Sequence, residues 1–544
     1  MKSKNRIKDL NFFTKFYPMS KFTKVSNILS SCCLGLVLTL LDVLSYGRNI
    51  LGKEGGGELE NISIAIYSYT TALSQIFFNI FTGIKSGVMA GFICENAPLC
   101  SRLFQDCVKL SNGDHEVAHT NFLVCRILSV LLFAALSLFL DFFKIGSYIQ
   151  NIPEPAIAGC LGLIGVSQVL VGYSEVNYSV HKSIIFIVLS VLLAISLYMI
   201  TEKLLQSSFS LPLSCALFTI AFYLIAVCVH GKSVINNLRD KSWIGGYDNT
   251  IIFPNQLYKF VNIRKISMKI ILKCSLKIIS LATFSMIHIT INLPSFSSKT
   301  KVPYDFSREL KTQSYSNVIS SIFGGYGYFI ASYSVLFTKS GGTKLSGVIL
   351  GICLPIIPIC GPMLKGFVPI IVLSALPTLM GIYFLIPILY SFFECTIFEY
   401  SIIVITLAAS FFTDLPLVGL LSGTFCCFFL HFLFSMKKPK NVKLDINAPV
   451  FRFNTSLTFL NINSLIDSIK NNTQDIIVID LLHCSYIDWN ARNKIVSIIN
   501  DSETNIILIG RPRSFLNYNE LQNKKLYKAK DYEDAKKHFA SIRV

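Results

Sequence analysis

Charge is what this chain has least of. Asp, Glu, Lys and Arg make up 15% of its 544 residues, where soluble domains carry about 25%. The shortfall, set against 52% hydrophobic residues, excludes a soluble globular protein and a disordered one alike. Also missing are the short motifs of nucleotide-driven or hydrolytic chemistry: there is no Walker phosphate loop, dinucleotide glycine fingerprint, H-E-x-x-H or G-x-S-x-G. Neither an enzyme nor an ATP-driven pump is expected. The 16 cysteines contain no C-x-x-C pair, and only Cys484 lies beyond the apolar region. They read as small apolar residues, so neither a metal nor a cofactor is expected. The net charge of +18 comes without an aromatic-interleaved basic patch or zinc finger, which argues against a nucleic-acid partner.

What is present is apolar sequence in runs of membrane-spanning length. The clearest cover residues 28–46, 62–82, 122–143, 183–200, 211–230, 270–293, 345–363, 367–390, 400–412 and 415–434. With the weaker Gly-containing segments 87–104, 155–172 and 316–338, the pattern implies about 12 to 14 passes. Residues 1–27 read as a basic arm in which no cleavable leader is expected, and by the positive-inside bias that arm is expected in the cytosol. A transmembrane part over residues 28–436, a linker at 437–446 and a terminal domain over 447–544 complete the organisation. Lys265, Lys269, Lys273 and Lys277 recur every four residues beside apolar neighbours, as snorkelling lysines of one helix facing lipid headgroups would.

Two weak segments are alike. Ser86 to Pro98 runs through small and extended-type residues before Pro98, and Gly324 to Ser334 does the same before Val335. A strand followed by a half-helix, once in each half of the chain, is expected of an inverted-repeat transporter with its solute at the midplane. Two opposed half-helix N-termini would supply unpaired N–H groups and positive partial charge. Beyond residue 447, helix-like stretches (459–469, 490–499) alternate with strand-like ones (476–481, 505–510). That alternation predicts a small α/β domain with a largely parallel sheet.

Residue by residue, the chain resembles the SulP sulfate permeases. The resemblance rests on Glu309-Leu310, Ser316-Asn317, Gly324-Gly325, Ser334 to Phe337 and Lys339-Ser340-Gly341-Gly342. Ile152-Pro153-Glu154-Pro155 with Ala158-Gly159, then Gln168 and Glu399-Tyr400, add to it. The terminal region resembles a STAS domain, with the strand 476–481 followed by Tyr486-Ile487-Asp488. Leu41 to Gly47 and Ile287 to Pro294 look closest to the divergent fungal vacuolar subgroup, whose members need not carry sulfate. The resemblance implies a polytopic α-helical membrane protein of seven plus seven inverted-repeat helices with core and gate domains and two half-helices. It further implies elevator-type secondary-active transport and a cytosolic STAS domain. The resident membrane would be the plasma membrane or a vacuole-like organelle membrane.

The expected solute site joins Asp42, Ser45 and Tyr46 of the first span, Glu95 and Asn96 of the first half-helix, and Ser332, Tyr333 and Ser334 of the second. His288 and Asn292 are the coupling candidates. A carboxylate inside the bilayer is costly enough that Asp42 should line a cavity. The leading reading is a carrier of a small inorganic anion of the sulfate class. Asp42 and Glu95 also fit a proton-coupled carrier of a cationic solute such as a basic amino acid, because they would repel a dianion. A transport-inactive, membrane-anchored STAS scaffold is the non-transport alternative. The turn Asp488-Trp489-Asn490-Ala491 offers no hydroxyl for phosphorylation, so the terminal domain is expected to serve packing and assembly as a homodimer. The remaining partners expected are a small-molecule or ion substrate and the lipid bilayer.

Overall fold

The computed structural model describes residues 21–543 except 48–49, 52–55, 94–95, 145–151, 180–183, 205–208, 232–233, 246–249, 260, 414, 436–449, 453–455, 461, 463–465, 467–475, 483, 485, 502–503 and 511–524. Two compact units emerge, Met1–Gly146 with Val166–Tyr383, and Ser147–Gly165 with Phe384–Val544. Among the described residues, eight helices are long and apolar enough to cross a membrane, and two shorter apolar helices, Ser275–Met286 and Ile397–Thr413, accompany them.

In the first unit, α1 (Lys21–Ser45), α2 (Gly56–Phe81), β1 (Ala90–Phe92), α3 (Ala97–Leu110) and α4 (His115–Phe142) are followed by most of α5 (Glu154–Ser179). Next come α6 (Ile184–Met199), α7 (Ser210–His230), α8 (Val234–Asp240), α9 (Met268–Lys273), α10 (Ser275–Thr300) and α11 (Phe306–Ser320). Then β2 (Gly327–Phe329), α12 (Ala331–Lys339), α13 (Lys344–Cys353), α14 (Ile357–Lys365) and most of α15 (Ile370–Glu394) complete it. The weak segments of the sequence are therefore β1–α3 and β2–α12. Helices α2 and α11 are the polar ones, rich in Ser, Thr, Asn and Gln, and they pack on each other and on the strands.

The lysine stripe is not one helix. Lys265 ends a 3-10 turn (Ile263–Lys265), Lys269 and Lys273 lie on α9, and the chain breaks at Cys274 before Lys277 on α10. Lys265 pairs with Asp114 (3.2 Å) and Glu116 (2.7 Å), and Lys277 pairs with Asp106. Local carboxylates thus take two of the four charges, while Lys269 and Lys273 stay exposed.

The second unit holds α16 (Ile397–Thr413), α17 (Pro416–Ser435) and an α/β domain. Strands β3 (Val450–Arg452), β5 (Ile476–Asp480), β7 (Asn505–Ile509) and β8 (Leu526–Ala529) form a parallel sheet in the order β3-β5-β7-β8. Strand β4 (Ser456–Leu457) pairs in parallel with β6 (Tyr486–Ile487), and α18 (Trp489–Asp501) and α19 (Tyr532–Arg543) supply the helices. The Ile- and Val-rich runs of β5 and β7 are buried along nearly their whole length, as a sheet covered on both faces requires. The helix expected over 459–469 falls mostly outside the described residues. Asp480 accepts from the Leu482 N–H (3.1 Å) and the Tyr532 hydroxyl (3.0 Å), so it caps and pairs. Gly159 of the Pro-rich segment has a packing reason, since a Cβ there would lie 2.4 Å from Thr406 Cβ and 2.7 Å from the Ile403 carbonyl.

Candidate functional site: a crossing of two strands beneath two half-helices

Backbone that leaves helical geometry inside a membrane must find partners, because lipid offers none. The first unit does this twice, and the two segments partly satisfy each other. Strands β1 and β2 pair antiparallel, with Ala90 opposite Phe329, Gly91 opposite Tyr328 and Phe92 opposite Gly327.

Side chains on the polar helices take the remaining groups. Gln75 Nε2 donates to the Val88 (2.9 Å) and Gly347 (3.2 Å) carbonyls, while its Oε1 accepts from the Ala90 N–H (2.7 Å). Asn79 both donates to the Val88 carbonyl (2.9 Å) and accepts from the Val88 N–H (3.0 Å). Thr71 Oγ1 accepts from the Phe92 N–H (3.1 Å). From α11, Asn317 donates to the Gly327 carbonyl (2.7 Å) and accepts from its N–H (3.1 Å), and Gln313 donates to the same carbonyl. Residues four apart share a helix face. Thr71-Gln75-Asn79 and Gln313-Asn317, polar every fourth residue in a membrane segment, were the signal in the sequence for these positions.

Gly327 has no room for a side chain: a Cβ would stand 1.9 Å from Ser74 Oγ and 2.7 Å from Ser74 Cβ. Gly327→Ala should therefore destabilise the purified protein by about 1–3 kcal/mol, the usual cost of overpacking, read as a lowered melting temperature in detergent. Unchanged melting would mean that Ser74 moves aside freely.

The half-helices leave this crossing without a cap from their N-cap side chains. Asn96 precedes α3 and Ile330 precedes α12, and neither start has a side-chain cap. Asp114, Asp305 and Thr343 do cap α4, α11 and α13. Uncapped first-turn N–H groups at a helix's positive end are suited to a carboxylate or an oxyanion.

Of the residues singled out in the sequence, Asp42 and Tyr333 meet directly. The Tyr333 hydroxyl donates to Asp42 Oδ1 at 2.8 Å, joining α1 to the first turn of α12, and Asp42 is 8% exposed. Ser332 is exposed in that turn. Ser334 instead clamps the crossing, accepting from the Met89 N–H (2.9 Å) and donating to the Met89 carbonyl (3.1 Å). Ser45 bonds back to the Leu41 carbonyl (2.7 Å), and the buried Tyr46 hydroxyl donates to the Leu376 carbonyl (3.2 Å).

Helix α10 braces the crossing at successive turns. Asn96 Nδ2 donates to Ser285 Oγ (2.9 Å), the His288 ring lies edge-on to Tyr328 with centroids 5.5 Å apart, and Asn292 Nδ2 donates to the Phe329 carbonyl (3.0 Å). His288 is buried and also meets the Phe284 ring. Glu95 lies outside the described residues. Glu309 accepts from Thr82 Oγ1 (2.9 Å) and the Gly83 N–H (2.8 Å), tying α11 to the end of α2.

Sequence reasoning missed Arg126. This fully buried residue of α4 holds its guanidinium 5.4 Å from the ring centroids of both Phe92 and Phe122, so a positive charge stands against β1.

Two half-helices rising from a shared strand crossing, in a chain with this many spans, define a multi-pass membrane transporter. Residues 25–406 match the sulfate permease family, and the chain belongs to that family. The vacuolar basic amino acid transporter VSB1 of Saccharomyces cerevisiae is 26% identical over 453 residues, which cover 79% of this chain and 43% of that protein. The chain thus matches less than half the length of this curated relative. Among solved structures, the transmembrane domain of the cyanobacterial bicarbonate transporter BicA superposes with a TM-score of 0.51 at 18% identity, covering 74% of this chain and 98% of that one. SLC26A9 superposes with a TM-score of 0.56 at 14% identity, covering 100% of this chain and 95% of that one. These two likenesses establish the fold: an SLC26-like transmembrane domain followed by a small α/β domain.

Proposed function

We propose that the chain is a secondary-active carrier of basic amino acids, working in a vacuole-type membrane. The observation that carries this reading is Asp42, a carboxylate set beside the first turn of α12 and oriented by Tyr333. A basic amino acid presents two unlike ends. Its α-carboxylate suits the uncapped half-helix N-termini, as half-helices in other transporters receive a substrate carboxylate. Its cationic end suits Asp42, through a charge-assisted hydrogen bond. The 26% identical relative described as a vacuolar basic amino acid transporter supports the same solute class. The β1–β2 pairing supports carriage of both half-helices as one body, an elevator-type step.

A second reading, a carrier of a small inorganic anion such as sulfate, has support in the family and in the positive charge of Arg126 against β1. Purified protein in liposomes separates the two. Radiolabelled arginine should accumulate under an imposed pH gradient and exchange with internal arginine, while sulfate should do neither. Sulfate counterflow without arginine counterflow would reverse the assignment.

A further inference from the structure

Three buried cysteines far apart in the sequence converge where three helices of the first unit meet. Cys107 lies one turn before the end of α3, Cys125 lies on α4, and Cys274 sits at the junction of α9 and α10. Their Sγ atoms all lie within 4.8 Å of one another, and the residues are 0%, 0% and 2% exposed. We propose that Cys107, Cys125 and Cys274 form a thiolate site for one thiophilic closed-shell cation, Zn2+ or Cu+.

The spacing fits. Three sulfurs about 2.3 Å from a common metal stand about 4 Å apart, which needs only a small contraction of the cluster. The donor set is soft and complete in sulfur, which favours zinc or copper(I) over magnesium, calcium or manganese. Zinc would take a further ligand such as water to reach four-coordination, whereas copper(I) is content with three. The surroundings suit thiolates as well. Cys274 is the N-cap residue of α10, and Lys277 lies one turn further along the same helix. Lys277 pairs with Asp106, next to Cys107, at partly exposed side chains (24% and 34%), so the cluster is one residue away from groups that reach water. Each cysteine comes from a separate helix, so no short-range motif marked the site. An occupied site would fasten the first half-helix, α3, to α4 and α10, whichever solute is carried.

The test uses full-length protein in detergent, reduced and stripped with a chelator, then offered Zn2+ alone or Cu+ alone and desalted. Elemental analysis should find one ion per chain with at least one of the metals, and the melting temperature should rise with it. Both effects should disappear in Cys274→Ser and Cys125→Ser but persist in Cys215→Ser, which alters a buried thiol elsewhere in the unit. Should the serine variants fail to fold, maleimide labelling of wild-type Cys274 gives the answer without substitution, because bound metal must slow it at least tenfold. Metal retention no greater than in Cys274→Ser overturns the proposal. So does labelling of Cys274 that is indifferent to metal, or a disulfide within the cluster in the protein as isolated.

Discussion

Asp42→Asn should cut arginine uptake into liposomes by at least about tenfold and by up to about 150-fold, the range spanned by a hydrogen bond to a charged group worth about 1.5–3 kcal/mol. The substitution keeps the shape and an acceptor for the Tyr333 hydroxyl, which donates to Asp42 at 2.8 Å, while it removes the charge and replaces the other oxygen by an amide donor. Folding should therefore survive, and the loss should fall on cationic solutes while a neutral amino acid of the same size is affected far less. Tyr333→Phe keeps the charge and loses the donor that aims it, so it should weaken uptake without changing the preferred sign of solute. Asp42→Asn protein that takes up arginine at the wild-type rate would remove the carboxylate from the site and leave the anion reading in possession.

Between pH 4 and pH 7 the terminal domain should lose stability as the pH rises, and Asp488 should be the reason. Its carboxylate is 8% exposed and accepts from the Phe459 and Ala491 N–H groups, both at 2.7 Å. Burial outweighs those two donors, and with Glu399 and Glu154 nearby it pushes the carboxyl from 3.8 up to about 7. Lys494 is the cation facing the same groups. A carboxyl raised in the folded state is neutral in both states below about pH 4. Through the window above that, the folded protein holds a proton the unfolded chain releases, so stability falls with rising pH and levels off above about pH 7. The total is about 4 kcal/mol at 1.36 kcal/mol per unit. Trp489 adjoins the carboxylate, and the chain has two tryptophans, so Trp243→Phe leaves one indole to report the transition. Melting of full-length protein followed at that indole should show the slope, and Asp488→Asn should flatten it. An unchanged slope in Asp488→Asn would assign the titration to another group.

The helical spans, the two weak segments and the terminal βα alternation were legible in the sequence because each rests on local periodicity. The break at Cys274 was not, because the lysines on either side keep a helical spacing that only three-dimensional structure interrupts. Asp42 could be recognised from the cost of a carboxylate in lipid, and its bond to Tyr333 joins two residues that no short-range pattern connects. Ser334 was expected at the solute site for its hydroxyl on the second half-helix, and its bonds to Met89 are a backbone-satisfying role that the sequence did not show. Gln75, Asn79 and Gln313 were not singled out, and Asn317 entered only through the family resemblance, because polar residues four apart on a helix do not by themselves reveal which backbone they satisfy. Arg126 was hidden for a related reason: it lies on α4, far in the sequence from both weak segments, and only the fold brings it against Phe92 of β1.

The division of labour at the crossing bears on how such a protein can change its cargo. The amides that hold the unwound backbone point at main-chain atoms, and main-chain atoms are the same whatever residues β1 and β2 carry. The helix starts, by contrast, are bordered by side chains such as Asn96, whose amide donates to the Ser285 hydroxyl, and Ser332, which is exposed. With the solute placed as proposed, drift at the helix starts would retune which solute is accepted without unravelling the structure that presents them, whereas drift at Gln75 or Asn317 would be paid for in folding. A scaffold arranged this way would be free to change cargo over evolutionary time.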